Sequence, residues 1–396
     1  MNIKLKISGY DHEGRGIGRY NEKIVFVPNT VIDEEVEVEI TKDKKSYAEG
    51  EVVNYLKTSP RRIEAICPYY DKCGGCAFWH LDIKDERKIK EDTVKNIIKK
   101  YADLDIEPNF IESDRVCNYR NKIGLKIVNG YWGYYNSESH DFISIHKCLI
   151  AKESINKIIE NKEYLNIKNG SIIIRSNYND EIILKVETNE DYSIHIDKLI
   201  KDNKIVGIIV NGKVIYGEDF YYERVGGYLF KVNINSFFQV NLDILAKVFE
   251  LLNLNNYQNV VDLYCGVGTL GMAVNKNKLY GIEIVYEAVK DAIKNSKLNK
   301  QDNLYMLGDS SKIAEINDKI DTIIVDPPRS GLSKKTLNNI LNTNADNLIY
   351  MSCNPMTLAR DLNLLKEKYE IKEFYILEMF PRTKHVETFC ILNIKL

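Results

Sequence analysis

Cys353 stands where chemistry is possible. It lies in DNLIYMSCNPMTLARDL (346–362), just past the apolar run 348–351 and in a turn closed by Asn354-Pro355. A thiol at the mouth of a strand, rather than inside a core, is placed to act as a nucleophile. Carboxylates end other short apolar runs: Asp262 in NVVDLY, Glu283 in GIEIV and Asp326 in TIIVDPPRSGL. Two prolines directly after Asp326 stiffen its turn, which a helix cap alone would not require. Glu387 enters the last apolar run, where a carboxylate is costly unless it is paired or functional. Open α/β sheets bind ligands at the carboxyl ends of their strands, and Asp262, Glu283, Asp326 and Cys353 all fall there.

VVDLYCGVGTLGMAV (260–274) supplies the rest of a site. Gly266, Gly268 and Gly271 match G-x-G-x-x-G between a strand and a helix, a pattern that brings bare backbone to a dinucleotide pyrophosphate. The loop lies late in the chain, and Asp262 sits inside the end of its strand. Both features favour S-adenosylmethionine over a nicotinamide, because acidic groups suit its ammonium and ribose hydroxyls, the latter falling to Glu283. A methyl donor, a thiol and a carboxylate together suit one reaction. Carbon 5 of uracil is too unreactive to attack a methyl sulfonium directly. Thiolate addition at carbon 6 creates an enolate, carbon 5 takes the methyl group, and a base then removes the carbon-5 proton so that the thiol leaves. Cys353 and Glu387 fit those two roles.

A second constellation is CPYYDKCGGC, in which Cys67, Cys73 and Cys76 read C-x5-C-G-G-C. Three cysteines so close, around a Gly-Gly turn, indicate a metal site, with Cys148 or Cys117 as the fourth ligand. Zinc and an iron–sulfur cluster are both compatible with that spacing.

The elements that must position these groups follow from the rest of the chain. Its 396 residues suggest two or three domains at roughly 150 residues each. Residues 1–58 read as a small β module: Val36, Val38 and Ile40 alternate with Glu35, Glu37 and Glu39, and KIVFVPN forms another strand. TSPRR (58–62) reads as a linker. A charged helix is predicted at about 83–101, with Ile89, Val94, Ile97 and Ile98 as its apolar stripe. From about 119 to 235 the chain is strand-rich, and Asn211-Gly212 between two strands marks a hairpin. From about 237, helical periods alternate with short apolar runs, which predicts a mostly parallel sheet covered by helices.

The charge is nearly balanced, 55 basic against 57 acidic residues, so any nucleic-acid partner must be held by local patches. Residues 1–58 hold nine Lys/Arg against eleven Asp/Glu, and the basic clusters of this module and its linker are confined to KDKK (42–45) and PRR (60–62). The first residues lack an apolar leader core, and no run reaches the roughly 18 apolar residues of a membrane helix. A cytoplasmic protein without a membrane partner is expected, in which the eight cysteines are not disulfides.

Together GYDHEGRGIGRY, CPYYDKCGGC, YRNKIGLKI, FFQVN, DLYCGVGT, DPPRSG, SCNPMTLARDL and HVETF occur in the order found in one family. The chain resembles the RNA uracil-5-methyltransferases along nearly its whole length, most closely those acting on 23S ribosomal RNA. The resemblance implies an α/β, Rossmann-like S-adenosylmethionine methyltransferase domain (81–111 and 236–396). It also implies a small N-terminal TRAM/OB-like barrel that binds RNA (1–58), and a central strand-rich α+β domain (59–80 and 112–235) that carries a [4Fe-4S] cluster and also binds RNA. By position it makes Cys353 the nucleophile and Glu387 the base. Gln239, Tyr264, Glu283 and Asp326 become the S-adenosylmethionine contacts, and Cys67, Cys73, Cys76 and Cys148 the cluster ligands. Cys117, Cys265 and Cys390 are left as structural residues. The implied partner is RNA rather than DNA, met by a monomer, with the target uridine flipped out of any stack to reach Cys353. Three rival readings are the same chemistry on transfer RNA, an amine methyltransferase of the Asp-Pro-Pro-Tyr kind, and a non-catalytic RNA-binding module. Arg329 in place of the aromatic argues against the second of these.

Overall fold

The structure is a computed structural model and describes residues 1–136 and 139–395. Three sheets organise it. The first holds six strands in the order Asn2–Lys6, Glu35–Asp43, Tyr47–Lys57, Lys23–Val27, Gly16–Tyr20 and Gly9–Tyr10. Its alternation is as the sequence predicts: Val36 and Val38 are buried, while Glu35 and Glu39 face solvent. The inward residues Ile3, Leu5, Ile7, Val25, Val27, Val36, Val38 and Ala48 form one small core.

The second sheet has seven strands, in the order Phe142–Ser144, Tyr131–Tyr135, Lys122–Val128, Gly170–Ser176, Ile182–Glu187, Ile205–Val210 and Lys213–Gly217. Asn211 and Gly212 join the last two with positive φ angles of 49° and 76°, the geometry a two-residue hairpin turn demands. Ile123, Leu125, Ile172, Ile174 and Leu184 pack on helix Glu153–Glu160 through Ile155, Ile158 and Ile159.

The third sheet has eight strands, ordered Leu304–Leu307, Lys276–Glu283, Tyr257–Leu263, Thr322–Val325, Asn347–Ser352, Glu387–Ile394, Tyr369–Leu377 and Asn109–Ile111. Glu387–Ile394 runs antiparallel to both neighbours, and the other pairs are parallel. Strands such as Thr322–Val325 are apolar on both faces because helices cover both sides.

Helix Ile83–Ala102 is one of those covers. Asp82 caps its start, and Val94, Ile97 and Ile98 enter the same core as Leu358, Leu362 and Leu365 of helix Pro355–Leu365. Ile89 packs instead beside Phe78, Leu81 and Val31, joining the first module to this helix. Among the described residues, no helix is long and apolar enough to cross a membrane.

Candidate active site

The antiparallel ladder between Asn347–Ser352 and Glu387–Ile394 ends on the pair Ser352–Thr388. One step further, the same register sets Cys353 opposite Glu387. Thr388 Oγ1 donates to the Ser352 carbonyl at 3.0 Å and locks that end of the ladder. Beyond it the chain turns at once: the Asn354 side chain accepts from Met356 N at 3.1 Å, and Pro355 opens the helix. Cys353 is thereby held half-buried at the strand's mouth.

Asp326 follows the adjacent strand Thr322–Val325. Its loop is clamped to the cysteine turn. Asn354 Nδ2 donates to the Arg329 carbonyl at 3.0 Å, and Thr357 Oγ1 donates to the same atom at 3.2 Å. Buried Asp361 accepts from Leu332 N at 2.8 Å and from the Tyr350 hydroxyl at 2.7 Å.

The electrostatics are those of a crowded acidic site. Glu387 is 2% exposed, its Oε1 has no hydrogen-bond partner among the described residues, and burial together with the charge of Asp326 raises it well above the usual carboxylate range. Burial pushes Asp326 up to about 7. Burial and the charges of Glu387 and Asp326 push the Cys353 thiol up to about 11, and Arg329 is the cation that opposes them. Arg329 Nη2 meets the His385 ring, 3.2 Å from Nδ1. Burial and the cations Arg329, Lys384, Arg120 and Lys90 hold His385 down at about 4, so the ring is neutral and accepts from the guanidinium. Sequence reading missed this pair. Fifty-six residues separate its members, and the signal available was the Arg that stands after Asp-Pro-Pro.

The glycine loop lies next to these groups. A cleft is lined by Phe237, Gln239, Asp262, Tyr264, Gly266 and Asp326. Glu283 sits behind it, accepting from Gly266 N at 3.0 Å and Val285 N at 2.8 Å. Asp262 is buried and accepts from Gly271 N at 2.9 Å. Tyr264 takes φ +64°, unusual for a bulky residue, and its hydroxyl lies 3.1 Å from Thr336 Oγ1. Gln239 is buried, and its carbonyl accepts from Asn121 Nδ2 at 3.2 Å. The structure thus gathers Gln239, Tyr264, Asp326, Cys353 and Glu387, with Glu283 behind the glycine loop.

Cys67, Cys73, Cys76 and Cys148 line a separate cavity of about 290 Å³, walled by Tyr134, Trp79 and Ile150. Burial raises all four thiols, Cys76 to about 12. Among the described residues, no three His, Cys, Asp or Glu side chains stand in closed metal-ligand geometry. Cys117 packs beside this group without lining the cavity, while Cys265 and Cys390 are buried in the catalytic half.

Known proteins resemble the chain in sequence and in fold. The family model described as tRNA (uracil-5-)-methyltransferase matches residues 140–395, and that of the TRAM domain matches residues 2–53. An uncharacterized RNA methyltransferase of Halalkalibacterium halodurans is 30% identical, covering 99% of this chain and 97% of that protein. Another, from Caldanaerobacter subterraneus, is 32% identical over 97% of each. Among solved structures, the Pyrococcus abyssi tRNA (uracil-54, C5)-methyltransferase in complex with S-adenosyl-L-homocysteine superposes with a TM-score of 0.78. It covers 98% of this chain and 99% of its own at 23% identity, which shows a common fold.

Proposed function

Since the chain belongs to the tRNA (uracil-5-)-methyltransferase family, an RNA methyltransferase family that uses S-adenosylmethionine, we propose that it methylates carbon 5 of a uridine in 23S ribosomal RNA. The observation that carries the chemistry is the juxtaposition of Cys353 and Glu387 at the end of one ladder, beside the glycine-loop cleft.

In this reading Cys353 Sγ bonds to carbon 6 of the uracil, and the electron pair moves onto carbon 5 and the carbonyl. Carbon 5 takes the methyl group, which S-adenosylmethionine supplies as an electrophile. Glu387 then accepts the carbon-5 proton, and the Cys353–carbon 6 bond breaks to restore the ring. A carboxylate raised by burial is a stronger base once ionised, which suits that step. Arg329 favours the thiolate. Gln239, Tyr264, Asp326 and Glu283 hold the methyl donor, with the backbone at Gly266 open to it. The division into 1–58, 59–80 with 112–235, and 81–111 with 236–396 is part of this proposal. Its support is helix Ile83–Ala102, which shares a core with the catalytic sheet.

The four cysteine side chains fit a [4Fe-4S] cluster. All are thiols, they share one cavity, and its volume is several times the roughly 30 Å³ of a single water. Such a cluster would supply a covalent cross-link between the Cys67–Cys76 segment and Cys148. Four thiolates would leave no iron position open to substrate, which suits a structural role. Anaerobically purified protein should be brown, with about four iron atoms per chain. Stoichiometric zinc without iron would overturn this assignment.

The assignment to ribosomal RNA rests on the family resemblance and the TRAM-like start, while the family description favours transfer RNA as the second reading. Mass mapping of 5-methyluridine in both RNAs, with and without the gene, chooses between them. With 5-fluorouridine RNA and donor, wild type should form a stable covalent adduct. If Cys353→Ala still forms it, the nucleophile is another residue.

A further inference from the structure

Folding assembles a basic surface that no run of the sequence shows. Within the two basic runs, Lys42 pairs with Glu49 at 3.1 Å and Arg62 with buried Glu34 at 2.6 Å. Elsewhere, Lys122 opens strand Lys122–Val128, and Arg175 faces it in register across the ladder. Lys185 stands on the next strand, opposite Ile173 and so on the same face. Arg120 immediately precedes the strand, its Nε donating to the Lys122 carbonyl at 3.0 Å. This face is opposite to the one packed on helix Glu153–Glu160, and at Ile183 it joins the catalytic core.

Three of the four cations lack a salt-bridge partner: among the described residues, Arg120, Lys122 and Arg175 have no carboxylate within salt-bridge distance, and Lys185 reaches only Glu187 on its own strand. Glu223, the buried carboxyl whose charge reaches Arg175, is held by Tyr178 N and Arg224 N. Burial and the charges of Arg175, Arg120 and Lys185 push the Lys122 ammonium down to about 8. Like charges gathered with little counter-charge are a cost in the free protein that an incoming anion relieves.

The position matters as much as the charge. Arg175 Nη2 donates to the Ser236 carbonyl at 2.5 Å, and Lys185 Nζ donates to Asn235 Oδ1 at 2.9 Å. The same loop runs on to Gln239 at the donor cleft, where Asn121 holds it. The larger groove of about 690 Å³, between the first module and the cysteine segment, mixes Glu13, Glu51, Asp71 and Asp141 with Arg15, Lys72 and Lys384, so it offers no comparable attraction for anions.

We propose that Arg120, Lys122 and Lys185, with Arg175 beneath them, form a phosphate-binding platform for the RNA strand next to the target nucleotide. The proposal rests on RNA as the substrate. It differs from base recognition: phosphate contacts position the strand and carry no sequence information.

The test is fluorescence anisotropy of a labelled oligouridylate over a series of KCl concentrations, with melting of the free proteins in parallel. Lys122→Gln should weaken binding several-fold at low salt. It should also flatten the slope of log Kobs against log salt by about 0.7 for each single-strand phosphate left without its cation. Lys122→Arg should restore both. Removing a repelled ammonium should leave the free protein's Tm unchanged or raise it. An unchanged slope in Lys122→Gln, or weaker binding that tracks a lower Tm and is not restored by arginine, overturns the platform. No binding by wild type overturns the RNA reading itself.

Discussion

Cys353 and Glu387 stand out as candidates in the sequence because each sits at the end of an apolar run, where a polar group is out of place unless it works. What sets their reactivity was not legible. The thiol's opposing charge, Arg329, and the neutral His385 that holds it come from two loops brought together only by folding. With Cys353 and Glu387 both raised, the reactive forms, thiolate and carboxylate, gain population as pH rises. Single-turnover methyl transfer needs only the thiolate and should therefore quicken with pH towards about 11 with a log–log slope of about one, while ionised Glu387 is needed for the later release of product. Arg329→Gln removes the cation, and a loss of one pKa unit of support is about tenfold less thiolate at neutral pH. That deficit should shrink as pH approaches the thiol's own value, and an equal loss at every pH would show that Arg329 does something else. Glu387→Gln should form the methylated adduct but not release it, so protein-linked RNA accumulates on a denaturing gel. The same change has a stability signature. The folded carboxyl is raised above its unfolded value, so ionisation opposes folding at pH above about 4.5 and not below it. Glu387→Gln should raise Tm at pH 8 and leave it unchanged at pH 4; a fall at pH 8 would mean the carboxylate has a partner that stabilises it.

At the scale of elements, period and turn chemistry carried a long way. The alternation in Glu35–Asp43, the Asn-Gly hairpin, the buried parallel strands and the stripe of helix Ile83–Ala102 all follow from spacing that each segment carries by itself. Neighbour order does not. Periodicity assigns a face to each strand, but the insertion of antiparallel Glu387–Ile394 between Asn347–Ser352 and Tyr369–Leu377 is decided by long-range pairing, and the Cys353–Glu387 juxtaposition depends on it. The Asp-Pro-Pro-Arg-Ser-Gly loop illustrates how elements fix the site. Gly331 takes φ +73°, and a Cβ there would lie 2.7 Å from Arg360 Nη2 and 2.8 Å from Asp361 Oδ2. Asp361 in turn ties Leu332 and Tyr350 together. Gly331→Ala should therefore cost about 1–3 kcal/mol in chemical denaturation and loosen Asp326 and Arg329 together. Methylation should fall beyond what the unfolded fraction explains. Normal activity in a destabilised variant would separate the clamp from catalysis.

Across the whole molecule, the site is held from behind by a helix that precedes the entire central sheet in the chain. Glu86 and Lys90 are buried on Ile83–Ala102 and joined at 2.8 Å. Glu86 Oε1 also accepts from Arg382 N at 2.8 Å, and Lys90 Nζ donates to the Phe380 carbonyl at 3.1 Å. Arg87 reaches Glu378, whose carboxylate is fully buried, at 2.8 Å. Arg382 Nη1 continues to the Leu81 carbonyl at 2.8 Å. The segment held this way, 378–385, carries His385 to the edge of the cysteine cavity and leads directly into Glu387. Sequence separations of nearly three hundred residues put these pairings out of reach of local patterns. Charged residues on a helix read by themselves as a solvated face, yet here they anchor a loop. Glu86→Ala would leave the Lys90 ammonium buried with no carboxylate beside it, and breaking one side of such a pair costs about 3–5 kcal/mol. The denaturation midpoint should fall accordingly, while Lys88→Ala, on an exposed pair of the same helix, should change stability by no more than about 1 kcal/mol. The two variants also separate anchoring from general stability. If the 378–385 segment is what positions His385 and Glu387, the folded fraction of Glu86→Ala should form the 5-fluorouridine adduct slowly while still binding the methyl donor. Equal rates per folded molecule would mean that the loop keeps its course without the helix.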